Sequence, residues 1–251
     1  MSAGLTTTLD GGVLTLTLDR ADKRNALNTA IIDGLAQGMA RAELEPGVRV
    51  VVIRGKGIDF CAGADLAEML ASVNNSLDEN ERDALGLGEI FLALRRLPKP
   101  TVAVVQGRAL AGGAGLALAC DIVIASDTAR LGFPEIARGF VPAMVMTLLR
   151  RSVTEKRAFD LVATGRLVGA DEALSLGLVS RVVPAEALDA RAAEVVATLL
   201  ASSTTAFALT KQLFTELDGV SFADGVLLGA RVNALSRSTP DFRQRIQEFL
   251  T

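Results

Sequence analysis

The chain has 251 residues, of which 50% are hydrophobic, 22% charged and 4% aromatic, with neither Trp nor Tyr. A chain of this length and composition buries a large core without disulfides or metals, which argues against a disordered protein. Its 26 basic and 29 acidic residues give a net charge of −3, which does not favour nucleic acid as a partner. The absence of His excludes Ser–His–Asp and Cys–His nucleophiles and His-ligated metal sites.

Cysteine usage and hydrophobic runs limit the class of protein further. Cys61 and Cys120 are too few for a cysteine-rich zinc site or a disulfide framework. The apolar run from Ala109 to Cys120 contains three glycines and stops at Asp121, so it is too short to span a bilayer. No basic segment followed by an apolar stretch stands at the N-terminus, so we expect no signal peptide. We therefore expect a cytoplasmic protein with no metal site and no membrane partner.

The first half of the chain alternates strand-like and helical patterns. Asp10-Gly11-Gly12 is typical of a hairpin turn, and Pro98-Lys99-Pro100 ends a helical pattern. Continuous apolar strands separated by helices predict parallel pairing within an α/β fold. The predicted strands are residues 5–9, 13–18, 50–53, 101–105 and 121–125, and the predicted helices begin at 29 and 66 or span 77–97 and 116–119.

The last third of the chain has helical patterns and almost no strand signal. The predicted helices are residues 185–200, 204–218, 222–236 and 241–250. We therefore predict a boundary near residue 195, which separates a core of residues 1–195 from a helical region of residues 196–251. Helices at a chain end often pack on a neighbouring subunit, although packing on their own core is equally compatible with the pattern.

One loop of small residues has the sequence Asp59-Phe60-Cys61-Ala62-Gly63-Ala64-Asp65-Leu66 and joins a strand to a helix start. Small residues let a ligand approach the backbone, and the N–H groups at a helix N-terminus point outward. The plainer interpretation is a tight connection in which Asp65 caps the helix.

A second loop of small residues, from Gln106 to Leu116, also follows a strand and opens a helix. It lacks the spacing of the G-x-G-x-x-G and P-loop motifs, so close helix–strand packing is the plainer interpretation of this loop alone. Two such loops, however, each offer one N–H at a helix start, and two converging N–H groups form an oxyanion hole. Such a hole stabilises charge on an ester or thioester carbonyl oxygen. In a chain without His or Tyr, it is the electrophilic catalyst that the composition favours.

A carboxylate forms the third candidate. Glu135 follows a proline in an otherwise apolar segment, and the nearest acidic residues are Asp127 and Glu155. Apolar surroundings would raise its pKa and let it exchange protons near neutral pH. A solvent-facing glutamate paired with Arg130 or Arg138 is an equally supported interpretation.

Two cations form the fourth candidate. Lys23 and Arg24 stand just before a predicted helix start. A phosphate-bearing ligand could use such cations, but a solvated turn is the commoner explanation.

Together these four segments resemble the enoyl-CoA hydratase/isomerase (crotonase) superfamily, over essentially the whole chain. The resemblance implies an α/β fold, namely a crotonase-like spiral of ββα units followed by a C-terminal all-helical oligomerisation region that forms trimers or hexamers. It also implies an acyl-CoA substrate, in which coenzyme A is part of the substrate rather than a separate cofactor. It is carried by Arg24-Asn25-Ala26-Leu27, Phe60-Cys61-Ala62-Gly63-Ala64-Asp65-Leu66, Pro98-Lys99-Pro100, Gly112-Gly113-Ala114-Gly115-Leu116, Cys120-Asp121, Pro134-Glu135 and Leu176-Gly177-Leu178-Val179.

The resemblance also assigns roles to individual residues. The oxyanion-hole amides fall on Ala64 and Gly112, and Glu135 matches the family's catalytic glutamate. No metal ligand is implied. The substrate- and CoA-binding positions fall on Arg24, Ala26, Leu27, Ala62, Asp65, Leu66 and Gly113.

The sequence departs from the family pattern at Gly115. Hydratases of the best-known type hold a water between two glutamates, and the second glutamate falls on Gly115, with no acidic residue within four positions. A single glutamate suits Δ3,Δ2-enoyl-CoA isomerases, although one carboxylate can serve hydration in sequence. Ala143 stands where related dehalogenases carry a nucleophilic aspartate, which argues against that chemistry. Because the segment after Gly115 is similar to hydratases lacking this glutamate, we expect a hydratase (a lyase), then an isomerase, then a catalytically weak acyl-CoA-binding protein.

Overall fold

The structure is a computed structural model that describes residues 4–251. Short strands and helices alternate through the first two thirds of the chain, and four helices end it. The strands are β1 (Leu5–Asp10), β2 (Val13–Leu18), β3 (Val50–Gly55), β4 (Thr101–Val105), β5 (Arg108–Leu110), β6 (Ile122–Ser126), β7 (Arg130–Gly132), β8 (Leu167–Gly169) and β9 (Arg181–Val183). The helices are α1 (Thr29–Leu44), α2 (Leu66–Ala71), α3 (Leu77–Arg96), α4 (Gly112–Ala119), α5 (Ala143–Ser152), α6 (Glu155–Thr164), α7 (Ala170–Leu176), α8 (Leu188–Ala201), α9 (Thr204–Glu216), α10 (Phe222–Arg237) and α11 (Pro240–Leu250).

Two sheets organise the core. The large sheet has the strand order β1-β2-β3-β4-β6-β9, in which β1 and β2 form an antiparallel hairpin and all other neighbours are parallel. The hairpin turn uses Gly11 and Gly12 at φ +52° and +85°, a conformation in which glycine has no steric penalty. The small sheet has the order β5-β7-β8, and its parallel pair β5 and β7 ends beside the loops described below.

The large sheet is buried on both faces, which explains the continuous apolar runs of its strands. Alternate residues such as Val51 and Ile53 point into the main core, where α1 and α3 contribute Leu35, Phe91 and other apolar side chains. The intervening residues point to a second, smaller core that α8 covers. That core consists of Val50, Val52, Val102, Val104 and Ile124 of the sheet, and Leu188, Ala192 and Val195 of the helix.

A buried ion pair attaches the C-terminal helices to the core. Lys211 of α9 is only 8% exposed, and its ammonium donates to the carbonyl oxygen of Leu94 at 2.8 Å and to the carboxylate of Asp121 at 2.7 Å. The same carboxylate oxygen accepts the N–H of Thr101 at 2.8 Å. Burial lowers the pKa of Lys211, and the facing Asp121 opposes that shift.

Beyond α9 the chain makes little contact with its own core. Within the part of the chain that the structure describes, neither α10 nor α11 has a buried residue. Large apolar side chains on or beside these helices are therefore left in solvent, including Phe222 at 91%, Leu227 at 69% and Phe249 at 86% exposure. Such a concentration of exposed apolar side chains is typical of a surface that a partner covers.

The predicted α/β class with a helical C-terminal region is confirmed, and the five predicted strands lie where the apolar runs placed them. One predicted helix start was wrong, because α4 begins at Gly112 and not at residue 116. Its glycines pack closely against neighbouring elements, and the helix continues through them. The patterns also missed the three-residue strands of the small sheet and helices α5 to α7. The boundary near residue 195 stays a prediction.

A search of residues 4–251 for membrane-spanning helices finds no single helix that is both long and apolar enough. Residues 185–201 and 204–216, which are bent by 103° relative to each other, reach the required length and composition only as a pair.

Candidate active site

The two loops of small residues lie side by side, joined by main-chain hydrogen bonds. The N–H of Cys61 donates to the carbonyl of Arg108 at 2.9 Å, and the N–H of Leu110 donates to the carbonyl of Cys61 at 2.9 Å. The loops also touch further along, because a Cβ added to Gly63 would lie 3.0 Å from the Cβ of Ala111. The residues that follow this contact on the two loops are Ala64 and Gly112.

A second set of main-chain bonds holds the opposite flank of the first loop. The N–H of Leu27 donates to the carbonyl of Gly63 at 2.8 Å, and the carbonyl of Leu27 accepts the N–H of Asp65 at 2.8 Å. This pattern is that of a parallel bridge between Leu27 and Ala64. In a parallel bridge, the residue between the two bonded neighbours directs its own N–H away from the partner segment. The N–H of Ala64 therefore points away from Leu27.

Both candidate donors are free. Across residues 4–251 no hydrogen-bond acceptor lies on the N–H of Ala64 or on that of Gly112. Gly112 is the first residue of α4, where N–H groups have no partner within the helix. The preceding Ala111 has φ 50° and ψ −124°, a conformation that residues with a side chain rarely adopt. Its own N–H donates to the carbonyl of Gly132 at 2.9 Å, which holds this strained turn in place.

Glu135 lies at the same edge of the small sheet. Leu110 at the end of β5 pairs with Gly132 at the end of the parallel strand β7. Gly112 follows the first strand by two residues and Glu135 follows the second by three. Because parallel strands end at the same edge of a sheet, the topology brings Glu135 to the side on which the two loops turn.

The Glu135 carboxyl group is buried, and one of its two oxygens lacks a partner. The residue is 6% exposed, and Oε2 has no hydrogen-bond partner among the described residues. Burial raises the pKa of Glu135, against smaller lowerings by a hydrogen bond from its own backbone N–H and by the charge of Arg138. The interpretation of Glu135 as a paired surface residue is wrong, because Arg130 and Arg138 instead donate to the carbonyls of Ala129 and Pro134.

Apolar side chains fill the space beside Gly115, the position at which the second glutamate of the two-glutamate hydratases falls. A Cβ added to Gly115 would lie 2.6 Å from Cζ of Phe91 and 2.9 Å from Cγ2 of Val145, and both side chains are buried. A glutamate therefore does not fit at this position without displacing two core residues. Nearby, a Cβ on Gly113 would lie 2.5 Å from the carbonyl oxygen of Cys61, so Gly113 also has a packing role.

The predicted CoA-binding residues lie together on the first loop and the segment beside it. Asp65 caps α2, since its Oδ1 accepts the N–H of Ala67 at 2.9 Å, and it forms an ion pair with Arg20 at 2.9 Å that lowers its pKa. The N–H of Ala62 donates to the carbonyl of Arg24 at 3.0 Å. Of the remaining predicted residues, Leu27 is buried, Ala26 is half-buried and Leu66 is exposed.

Two clefts of the single chain lie away from this site. One cleft of about 570 Å³ lies between β2, β3 and the start of α8 and is lined by Thr15, Arg54 and Asp189 among others. Another of about 580 Å³ lies beside Asp121 and Phe214. Neither cleft is lined by the free amides or by Glu135, and the candidate site is identified by its unpaired polar atoms.

Known proteins match this chain in sequence and in fold. The chain superposes on an enoyl-CoA hydratase structure from Mycobacterium smegmatis with a TM-score of 0.94 and 33% identity, covering 98% of this chain and 96% of the other. It is 43% identical over 239 residues to a Thermus thermophilus protein described as "Putative enoyl-CoA hydratase", covering 95% and 94% of the two chains. It is 34% identical over 239 residues to the 2,3-dehydroadipyl-CoA hydratase of Escherichia coli, covering 95% and 92%.

These matches establish the fold and the family of the chain. The chain has the crotonase fold. Residues 8–249 match the family model described as enoyl-CoA hydratase/isomerase, and the chain belongs to this family of enzymes.

Sequence reasoning missed several residues around the site. Asn25 is fully buried, and Phe91 and Val145 pack on Gly115. Phe91 lies on α3 and Val145 on α5, both distant from Gly115 along the chain, so no local sequence pattern predicts their contact with it. Asn25 offered one signal, because an asparagine tolerates a left-handed backbone in a turn.

We expect Glu135→Gln to unfold at a higher temperature than the wild type at pH 7, because the amide has no charge to desolvate. Folding raises the pKa of Glu135. The contribution of this carboxyl group to the free energy of unfolding is therefore complete below its unfolded pKa of about 4.3, and it is lost as the pH rises through the folded pKa. The advantage of the variant should therefore grow from pH 4 to pH 7 in thermal unfolding. Exposed Glu81→Gln is the control, and a Glu135→Gln protein less stable than wild type at pH 7 would contradict the interpretation.

Proposed function

We propose that this protein is an enzyme of the enoyl-CoA hydratase type. In this proposal the N–H groups of Ala64 and Gly112 bind the thioester oxygen of the substrate, and Glu135 transfers the proton. The observation that carries the proposal is the pair of unpaired main-chain N–H groups beside the Gly63–Ala111 contact, at the edge of the small sheet where a buried carboxylate also lies unpaired.

In the proposed hydration, Glu135 first accepts a proton and then donates one, while the two N–H groups hold the thioester oxygen. Hydrogen bonds to the thioester oxygen draw electrons from the C2=C3 double bond, so that C3 accepts the oxygen of a water molecule. Glu135, as the carboxylate, takes a proton from that water, and the electron pair moves to give an enolate with charge on the bound oxygen. The protonated Glu135 then delivers a proton to C2, which restores the carbonyl and leaves a 3-hydroxyacyl thioester. The raised pKa of Glu135 suits a group that must both accept and donate a proton.

The same proposal places the CoA portion along the first loop. Arg24 offers an exposed cation for a phosphate group, and Ala26, Leu27, Ala62, Asp65 and Leu66 line the adjoining ridge together with Gly113 of α4. The ladder between Arg24–Leu27 and Ala62–Asp65 supports this assignment, because it makes one continuous surface of two distant segments. Coenzyme A enters as part of the substrate.

A second candidate function is isomerisation of a 3-enoyl thioester to the 2-enoyl thioester. Phe91 and Val145 favour it, because they place hydrocarbon where a second acid would orient a water molecule. Glu135 would take a proton from C2, the double bond would shift through the enolate, and the proton would return at C4. No atom of water is gained in this reaction.

We expect Ala64→Pro to lower kcat on crotonyl-CoA by about 10²–10³-fold, because proline deletes one oxyanion donor. The neighbouring ladder bonds use the carbonyl of Gly63 and the N–H of Asp65, so they survive the change. Ala64→Ser keeps the N–H and is the matched control. Glu135→Gln should lose at least about 10²-fold. Wild-type turnover in Ala64→Pro or in Glu135→Gln would refute its assigned role, and tight binding without turnover in the wild type would point to a binding protein.

The products of the wild-type enzyme decide between the two reactions. In water enriched in ¹⁸O, a hydratase converts a 2-enoyl-CoA into a 3-hydroxyacyl-CoA that carries the label. We expect this labelled product in mass spectrometry. Conversion of a 3-enoyl-CoA to the 2-enoyl-CoA with no label in any product would establish isomerisation instead.

We also propose that the chain assembles into trimers, or hexamers of two trimers, through the exposed apolar faces of α10 and α11. Sedimentation should give a mass of at least three times 26.2 kDa. Leu227→Glu, at a residue 69% exposed on α10, should reduce that mass, whereas Leu70→Glu, at a residue 73% exposed on α2, should not. A monomeric wild type would contradict the assembly.

A further inference from the structure

We propose that Asn25 is a positioning residue that fixes the direction of the Ala64 N–H. The inference rests on the proposed function of that N–H in binding the thioester oxygen. Asn25 itself lies away from the reacting atoms in this proposal and acts through the loop between β3 and α2. Its effect on the reaction is therefore indirect.

The carboxamide of Asn25 connects two segments that are far apart along the chain. Asn25 is fully buried, and its side chain donates to the carbonyls of Lys56 at 2.9 Å and Asp59 at 2.8 Å. Its Oδ1 accepts the N–H of Arg20 at 3.0 Å. All three bonds go to main-chain atoms, so the side chain serves the path of the backbone and not another side chain.

These bonds control the start of the loop that carries Ala64. The main-chain ladder secures residues 60–65, whereas Lys56 and Asp59 lie before it, where the chain leaves β3 and turns. Without the carboxamide, the buried Asp59 carbonyl would lose a donor, and the cost of an unpaired buried group would favour a shift of the loop. The Gly63 carbonyl, which accepts the N–H of Leu27, lies in the same peptide plane as the Ala64 N–H. A loop shift that loosens this bond would rotate the plane and misdirect the N–H of Ala64.

The backbone at Asn25 restricts what can replace it. Its φ is +55°, a left-handed conformation that Asn, Asp and Gly tolerate better than other residues. Aspartate has the same shape and keeps the acceptor for the Arg20 N–H, but it meets the two carbonyls with oxygens that cannot donate. Glycine keeps the backbone conformation and removes the carboxamide. These two substitutions therefore remove the two donated bonds without forcing a backbone change at residue 25.

The carbonyl stretching frequency of a bound enoyl-CoA, ¹³C-labelled at the thioester, separates positioning from general stability. Hydrogen bonds from an oxyanion hole lower this frequency, so it reports directly on donor alignment. A residue with a merely structural role would lower the unfolding temperature and leave the frequency of the bound ligand unchanged.

We expect Asn25→Asp and Asn25→Gly to move the carbonyl frequency towards its value in water. Their kcat should fall by about 10- to 100-fold while KM changes by less than about threefold, since the interaction strengthens in the transition state. Asn28→Asp is the matched control, because Asn28 only caps α1 by accepting the N–H of Ile31, which an aspartate also does. If Asn25→Asp does not fold, Asn25→Gly carries the test, because glycine occupies this φ without strain.

Ala64→Pro, measured in parallel, separates failure of the two proposals. If the carbonyl frequency in Ala64→Pro equals that in the wild type, the proposed role of the Ala64 N–H is wrong, and this inference is wrong with it. A frequency that moves in Ala64→Pro but stays at the wild-type value in the folded Asn25 variants, with wild-type kcat, would overturn the positioning role alone.

Discussion

The whole arrangement depends on a run of main-chain hydrogen bonds that continues from the sheets into the loops. Backbone groups away from water are normally paired, and here the N–H groups of Ala64 and Gly112 are among those left without a partner. The bonds on either side of Ala64, and the strained turn at Ala111, hold two N–H groups that would otherwise find partners in the protein. The scaffold thus supplies donors that need no reorganisation when a carbonyl oxygen arrives, which is the property that makes such donors effective.

This design suits a chain that lacks His and Tyr. With no imidazole or phenol available, the proposed function assigns charge stabilisation to the backbone and proton transfer to a carboxyl group. A carboxyl group in water has a pKa too low to exchange protons well near pH 7, and burial corrects this for Glu135. Burial of Glu135 lowers the stability of the fold, because its unpaired Oε2 is kept away from solvent. Such a cost at a functional site is a common trade between stability and activity.

The sequence predicted the elements that have a strong local pattern. Buried parallel strands are apolar throughout, so β3, β4 and β6 were evident. The apolar surroundings of Glu135 offered burial as one of two interpretations, and the structure decides for it. Strands β5, β7 and β8 have three residues each, too few to show a period, yet they align the two halves of the candidate site. The contacts of Asn25 and the packing of Phe91 on Gly115 join positions tens of residues apart, so they follow from the folded chain and not from any local signal.

The packing around Gly115 has a consequence for how this enzyme can evolve. A carboxylate at 115 needs room that Phe91 and Val145 now fill, and shrinking a buried phenylalanine to alanine costs about 3–5 kcal/mol. Proteins have only about 5–15 kcal/mol of net stability in total. A stepwise change from one acid to two therefore passes through a destabilised intermediate. Residue 115 and its two packing neighbours are therefore coupled, and a second acid at this position requires compensating changes at Phe91 and Val145.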